Sequence, residues 1–295
     1  MAIAVTMSFV GAALLLAAGA LGDLLGPWAL VIALPLVAVA IWLLAHSLPL
    51  VLMSARLRPL QLGPTVIRSA RRLSEDEEWE LFRLVDLVKG RLWATAPGAE
   101  CGGCEVWVLA HRRDAERLSR ARCIGVGIVG PAVCAVPAAH LRDGEAVLRA
   151  IAAGVAANAA ATLNGRVPAF LRLGLRGYLL CCALHAEGPD RNRCLHEAAH
   201  HEAPRGIDIE ALLRRLAPSL RAGTTLALGQ SLVGFLVHRY GWRSFLTLLR
   251  HADAMPIELA LFETYGRTVG EIEKRWLVFL EGSLVPLTSE FRQSA

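Results

Sequence analysis

The sequence predicts an α+β protein, mostly helical with a small N-terminal β-sheet, preceded by a two-helix transmembrane hairpin. Three observations predict it. Up to Met53 the chain holds two long apolar runs and, apart from His46, a single ionisable side chain, Asp23. Short β-prone runs are confined to the stretch between Val106 and Val136, and from Asp143 onward apolar residues recur at helical spacing nearly to the end.

The hairpin comes first. Residues 3–21 and 28–53 each reach the roughly 20 apolar residues that cross a bilayer as helix, and the turn between them is Gly22-Asp23-Leu24-Leu25-Gly26-Pro27. No Lys or Arg precedes the first run, which speaks against a secretory leader, and Trp28 and Trp42 suit the membrane boundaries. Residues 1–56 are therefore assigned to the hairpin. Arg56, Arg58, Arg68, Arg71 and Arg72 follow it, so the positive-inside rule predicts an integral membrane protein with a cytoplasmic soluble part. Seven cysteines, an odd number, fit a reducing compartment. The formal charge of +5 owes much to these arginines, which are suited to anionic headgroups. Membrane lipids, met through residues 1–72, are thus an expected partner. Nucleic acid is not, because no basic stripe with interleaved aromatics appears later in the chain.

Residues 57–72, with Pro59 and Pro64 among basic side chains, read as a basic juxtamembrane linker. A folded domain over residues 73–286 and a tail over 287–295 follow. Ser74-Glu75-Asp76-Glu77 spells a capping box, in which Ser74 caps the helix and Glu77 reaches back. The helix it opens carries Trp79, Leu81, Phe82, Leu84, Val85 and Val88 and should stop near Gly90. A strand over Val106 to Leu109, a short helix over Arg113 to Leu118 and strand segments around Ile124 to Val136 come next. Ile272, Trp276 and Leu277 mark a closing amphipathic helix.

Two motifs carry little. Gly125-Val126-Gly127-Ile128-Val129-Gly130 spells a dinucleotide fingerprint, but Pro131 and another β-prone run follow where a helix must begin. Cys101-Gly102-Gly103-Cys104 lacks both the helix N-terminus of a redox pair and the second ligand pair of a zinc knuckle, so reduced thiols in a turn are expected.

Residues 146–178 are more informative. Gly165-Arg166-Val167-Pro168, Phe170-Leu171, Gly174-Leu175 and Tyr178, followed by Gln230-Ser231 and Tyr240-Gly241, resemble the gluzincin metallopeptidases of the peptidase-MA-like group over residues 74–284. In that family a "vL-x-HE-x-x-H" helix precedes "G-R-x-P-x-W-L-x-E-G-L-A-E-Y" and an "A-x-x-Q-S" helix ending in "Y-G". The resemblance implies a zincin-like fold. Anchored on Val147-Leu148, it puts the family's zinc-binding His, catalytic Glu and second His on Ala150, Ile151 and Gly154. The downstream ligand Glu falls on Leu173 and a second Glu on Gly177. Between Ala146 and Leu184 there is no His, Asp or Glu, so no register of this helix supplies a ligand or a base. The resemblance therefore implies a degenerate member with no cofactor, whose retained cleft, lined by Phe170, Tyr178, Gln230 and Ser231, takes an unidentified peptide or protein.

His196-Glu197-Ala198-Ala199-His200 offers an alternative. Residues four apart share a helix face, so His196 and His200 could hold one zinc ion while Glu197 acts as base. A third ligand would have to come from Glu210, His238, His251 or Glu258, none at a diagnostic spacing, and the flanking residues are polar. The segment is expected to be a solvated polar helix. The function expected is that of a membrane-anchored pseudo-peptidase that binds peptide or protein. The alternatives are an active zinc metallopeptidase using His196, Glu197 and His200, and a membrane scaffold that recruits partners.

Overall fold

The computed structural model describes residues 11–17, 34, 35, 37–41, 56–99, 103–111, 113, 114, 132–163, 167–202, 209, 213 and 222–283. Of the expected hairpin, residues 11–17, 34, 35 and 37–41 are helical; the rest of both spans lies outside the described residues, as do the fingerprint glycines 125–130. The chain divides into two compact units, Met1–Phe82 with Gly102–Val147, and Arg83–Cys101 with Leu148–Ala295. Mostly helical, with one small mixed sheet, the protein is α+β.

The first unit is built on four strands in the order β1 (Arg58–Leu62), β2 (Thr65–Ser69), β3 (Cys104–Leu109), β4 (Ala132–Pro137). β1 and β2 form an antiparallel hairpin, while β2–β3 and β3–β4 pair in parallel. The expected linker over residues 57–72 is thus corrected: most of it is sheet. Its turn is Gly63-Pro64, with Gly63 at φ 57°, a conformation that costs glycine nothing. β1 is exposed along its length, and Arg58 and Pro59 there suit an unpaired edge. β3 is buried throughout and alternates its faces with period two: Trp107 and Leu109 join Leu57 and Val133 in one cluster, while Cys104, Val106 and Val108 face the other way. Cys104 therefore lies in a buried strand, 3.7 Å in Sγ–Sγ distance from Cys134 of β4, and not in a turn. Glu105 is buried with Trp107; Arg68 Nε and Trp107 Nε1 donate to its carboxylate at 3.2 and 2.9 Å.

Helix α1 (Glu75–Thr95) opens with the expected box: Glu77 N–H donates to Ser74 Oγ at 3.3 Å, and Ser74 N–H to Glu77 Oε2 at 3.0 Å. It runs five residues past Gly90. A helical glycine costs about 1 kcal/mol, which burial of Leu92 beyond it offsets. Helix α2 (Gly144–Leu163) is capped by Asp143, whose Oδ1 accepts the Glu145 and Ala146 N–H groups at 3.1 Å. Among the described residues it alone is long and apolar enough to cross a membrane by length and composition, and half of its most apolar window is buried inside protein.

The rest of the second unit comprises α3 (Ala169–Leu184), α4 (Pro189–Glu202), α5 (Ala222–Tyr240), α6 (Trp242–Ala254), α7 (Ile257–Tyr265) and α8 (Val269–Ser283). Helices α3 and α5 meet most extensively, and glycines make this possible: a Cβ at Gly174 would overlap the Gly229 backbone. Arg91 donates to the Ala183 and Leu184 carbonyls at the end of α3. Cys181 and Cys194 form a disulfide joining α3 to α4.

Candidate functional site

Helix α4 carries the His196-Glu197-x-x-His200 sequence, and it is not a fully solvated helix. Leu195, His196 and Ala199 are buried on α5, whereas Glu197 is exposed and His200 is half-buried. The expectation of a solvated polar helix is corrected on this face. Low hydropathy concealed the face because His196 occupies the position where an apolar residue would announce it.

What buries His196 is a small hydrogen-bonded cluster. Its Nδ1 lies 2.9 Å from Ser231 Oγ on α5, and Trp276 Nε1 of α8 donates to the same oxygen at 3.0 Å. With the indole occupying a lone pair, the Ser231 hydroxyl can donate to Nδ1, an arrangement satisfied by imidazole with its proton on Nε2. Phe279 packs edge-on to the imidazole, ring centroids 5.0 Å apart, and also meets His238 and Phe235. Gly234 lets α4 approach: a Cβ there would come within 3.2 Å of His196 Cε1. Burial lowers the His196 pKa from 6.5 to about 4, and repulsion from His238 adds to the fall. The ring is neutral at physiological pH.

Such a cluster can hold α4, α5 and α8 in register. As a zinc site it fits poorly. One nitrogen of His196 is engaged by Ser231, Glu197 points to solvent on another face, and no three His, Cys, Asp or Glu side chains among the described residues are grouped to hold a metal. Of the proposed third ligands, His238 is exposed and packs on Phe279, and His251 Nδ1 pairs with Thr264 Oγ1 at 3.1 Å. Glu258 has an interaction of its own, and Glu210 lies outside the described residues.

The positions that the resemblance assigns to a metal site differ in exposure. Ile151 is fully buried and Gly154 is buried, Ala150 is half-buried, and Leu173 is 39% exposed. Gly177 has no room for a carboxylate: a Cβ there would stand 2.7 Å from Gln230 Cβ. Three of the four residues expected to line a cleft are buried. Phe170, Tyr178 and Ser231 are buried, and Tyr178 stacks on Trp242 at 6.0 Å with its phenol pKa raised by burial. Gln230, half-buried, donates to the Cys194 carbonyl at 2.9 Å. Tyr178, Gln230 and Ser231 tie α3, α4, α5 and α6 together, and with buried Phe170 they offer little surface to a peptide.

Trp276 is the member of the cluster that sequence reasoning placed only as packing. The signal that could have found it is the rarity of a fully buried indole without a hydrogen-bond acceptor, which obliges some Ser or carbonyl to meet it.

The fold and cluster define a mostly helical α+β protein with a buried polar junction between three helices. No family model matches the chain, and no curated protein or solved structure matches it.

Proposed function

We propose that the protein is a membrane-anchored, catalytically inactive metallopeptidase-like protein, a zincin-like pseudo-peptidase that works without bound zinc, faces the cytoplasm and acts by binding a peptide or protein. The single observation that carries this reading is the closure of His196 onto Ser231 and Trp276, with Glu197 left outside on solvent. A hydrolytic zinc site needs two imidazoles, a third ligand and a base converging on one open position. Here the one fully buried imidazole of the pair serves packing and the base faces away. Because Phe170, Tyr178 and Ser231 are buried, partner binding falls to the outer surface; Leu173, Leu259, Phe262 and Val278 are apolar side chains exposed there.

The test is metal analysis and peptide hydrolysis by the purified full chain. A fragment beginning at residue 73 is unsuitable, since it would lack β1 and β2. A cooperatively folded protein with substoichiometric zinc and no hydrolysis is expected. One zinc per chain that disappears in His200→Ala would replace this reading with the active metallopeptidase.

A further inference from the structure

The first unit contains a cavity of about 810 Å³ that the proposed function leaves unused. This is within the size range of small-ligand sites, roughly 300–1,000 Å³. Its polar wall comes from two distant parts of the chain: Arg71, Arg72, Ser74 and Glu77 before and at the start of α1, and Arg142 just before α2, with Leu141 beside it. Three arginines and a single acid, Glu77, thus line it.

That carboxylate is already committed. Glu77 Oε1 accepts from Arg71 Nη2 at 2.5 Å while Oε2 accepts the Ser74 N–H, and Arg71 Nη1 donates to the Arg72 carbonyl at 2.9 Å. Arg71 is thereby pinned as part of the wall. The guanidiniums of Arg72 and Arg142 have no hydrogen bond or ion pair among the described residues, and both are exposed to the cavity and solvent. Glu75, Asp76 and Glu78, the other acids of the first helical turn, do not line the cavity. Two cations that have no partner among the described residues and line one concave surface repel each other unless an anion lies between them. The planar fork of arginine matches phosphate oxygens two at a time, and a phosphate has enough oxygens to serve two forks. The source is indicated by the chain itself. Arg71 and Arg72 close a basic stretch that also holds Arg56, Arg58 and Arg68 and follows the apolar run 28–53, where anionic headgroups attract basic side chains.

We propose that this cavity is a binding site for a phosphate group carried by an anionic lipid headgroup, with Arg72 and Arg142 gripping the phosphate oxygens and the Arg71–Glu77 pair fixing the wall. The choice of a lipid as the source rests on the membrane-anchored reading; recognition of phosphate does not.

The experiment is calorimetric titration of the full chain in phosphatidylcholine nanodiscs with dihexanoyl phosphatidic acid and, separately, inorganic phosphate. The same titrations use Arg72→Gln/Arg142→Gln and, as control, Arg250→Gln, an exposed residue of α6 in the other unit. Phosphatidic acid is expected to bind, and the double variant to bind it at least about tenfold more weakly, the loss of one charged hydrogen bond or more, with R250Q unchanged. Thermal unfolding of the double variant should match the native protein, since exposed side chains are replaced. Binding of phosphatidic acid but not of inorganic phosphate, weakened in the double variant, supports the site with a lipid source. Binding of inorganic phosphate as tightly, with the same loss in the double variant, supports the site with a soluble source. No binding of either ligand, or equal affinity in the native chain and the correctly folded double variant, overturns it. Zinc found in the protein would change the proposed function and leave this result untouched.

Discussion

Ser231 accepts the Trp276 indole N–H and meets His196 Nδ1 with no exposure to solvent. Ser231→Ala leaves both partners buried and unpaired, so it should cost about 2–3 kcal/mol, the penalty of a stranded buried group plus the lost bond. Urea unfolding measures it; a loss under about 0.5 kcal/mol, the range of ordinary surface changes, would mean that the cluster contributes nothing. His196 makes the same cluster sensitive to pH. Its folded pKa is lowered from 6.5 to about 4, chiefly by burial. Above pH 6.5 the imidazole is neutral in both folded and unfolded chains and adds no pH dependence. Between pH 6.5 and 4 the unfolded chain takes up a proton that the folded chain refuses, so stability falls as pH falls, by about 3 kcal/mol across the window. Below pH 4 this contribution levels off. His196→Asn should flatten that slope in pH-dependent denaturation, and an unchanged slope would locate the proton uptake elsewhere.

At the level of elements, glycine separates two kinds of helix contact. Gly90 on α1 has open space around its missing Cβ, so Gly90→Ala should raise stability by about 0.5–1 kcal/mol from helix propensity. Gly174→Ala gains the same propensity but drives a methyl into the Gly229 backbone, which cannot rotate aside. Overpacking of this kind costs about 1–3 kcal/mol, so the net effect should be destabilising. Thermal melts of the two variants should move in opposite directions, and a rise for both would show that α3 and α5 separate easily. The α1 start was legible in the sequence because a capping box is local: Ser74 and Glu77 are three residues apart. Strand β3 was legible for a similar reason, in a run of β-prone apolar residues. The β1–β2 hairpin was not, because an exposed edge strand carries Arg58 and Pro59 and looks like a linker. The His196 cluster was illegible for a different reason. Its members are 35 and 45 residues apart along the chain, and no periodicity reports a long-range hydrogen bond. Nor did the separation of Cys181 and Cys194 reveal that α3 and α4 would bring them together.

At the level of the whole molecule, two features make opposing demands on the compartment. Arg56, Arg58, Arg68, Arg71 and Arg72 follow the second apolar run, and in the membrane-anchored reading proposed above the positive-inside rule would keep such a cluster in the cytoplasm. The Cys181–Cys194 disulfide closes a sequence separation of 13 residues and forms stably only where the surroundings are oxidising. In the membrane-anchored reading proposed above, the arginines would act during insertion, before the soluble part folds, and so set the side; the thiols would then respond to whatever redox poise they meet. In the cytoplasmic orientation proposed above, Cys181 and Cys194 should be a reduced pair in growing cells, held within bonding distance by α3 and α4, and should close when the protein is isolated in air. Closure of a loop this size should add about 3 kcal/mol, so the isolated protein should melt lower after reduction, and Cys181→Ser should abolish the difference. Acid quenching of intact cells followed by mass-tag alkylation reads the thiols before they can oxidise. Two tags gained at Cys181 and Cys194 relative to a Cys181→Ser/Cys194→Ser chain is the expected result; an untagged, already closed pair in quenched cells would move the soluble part to the opposite face of the membrane.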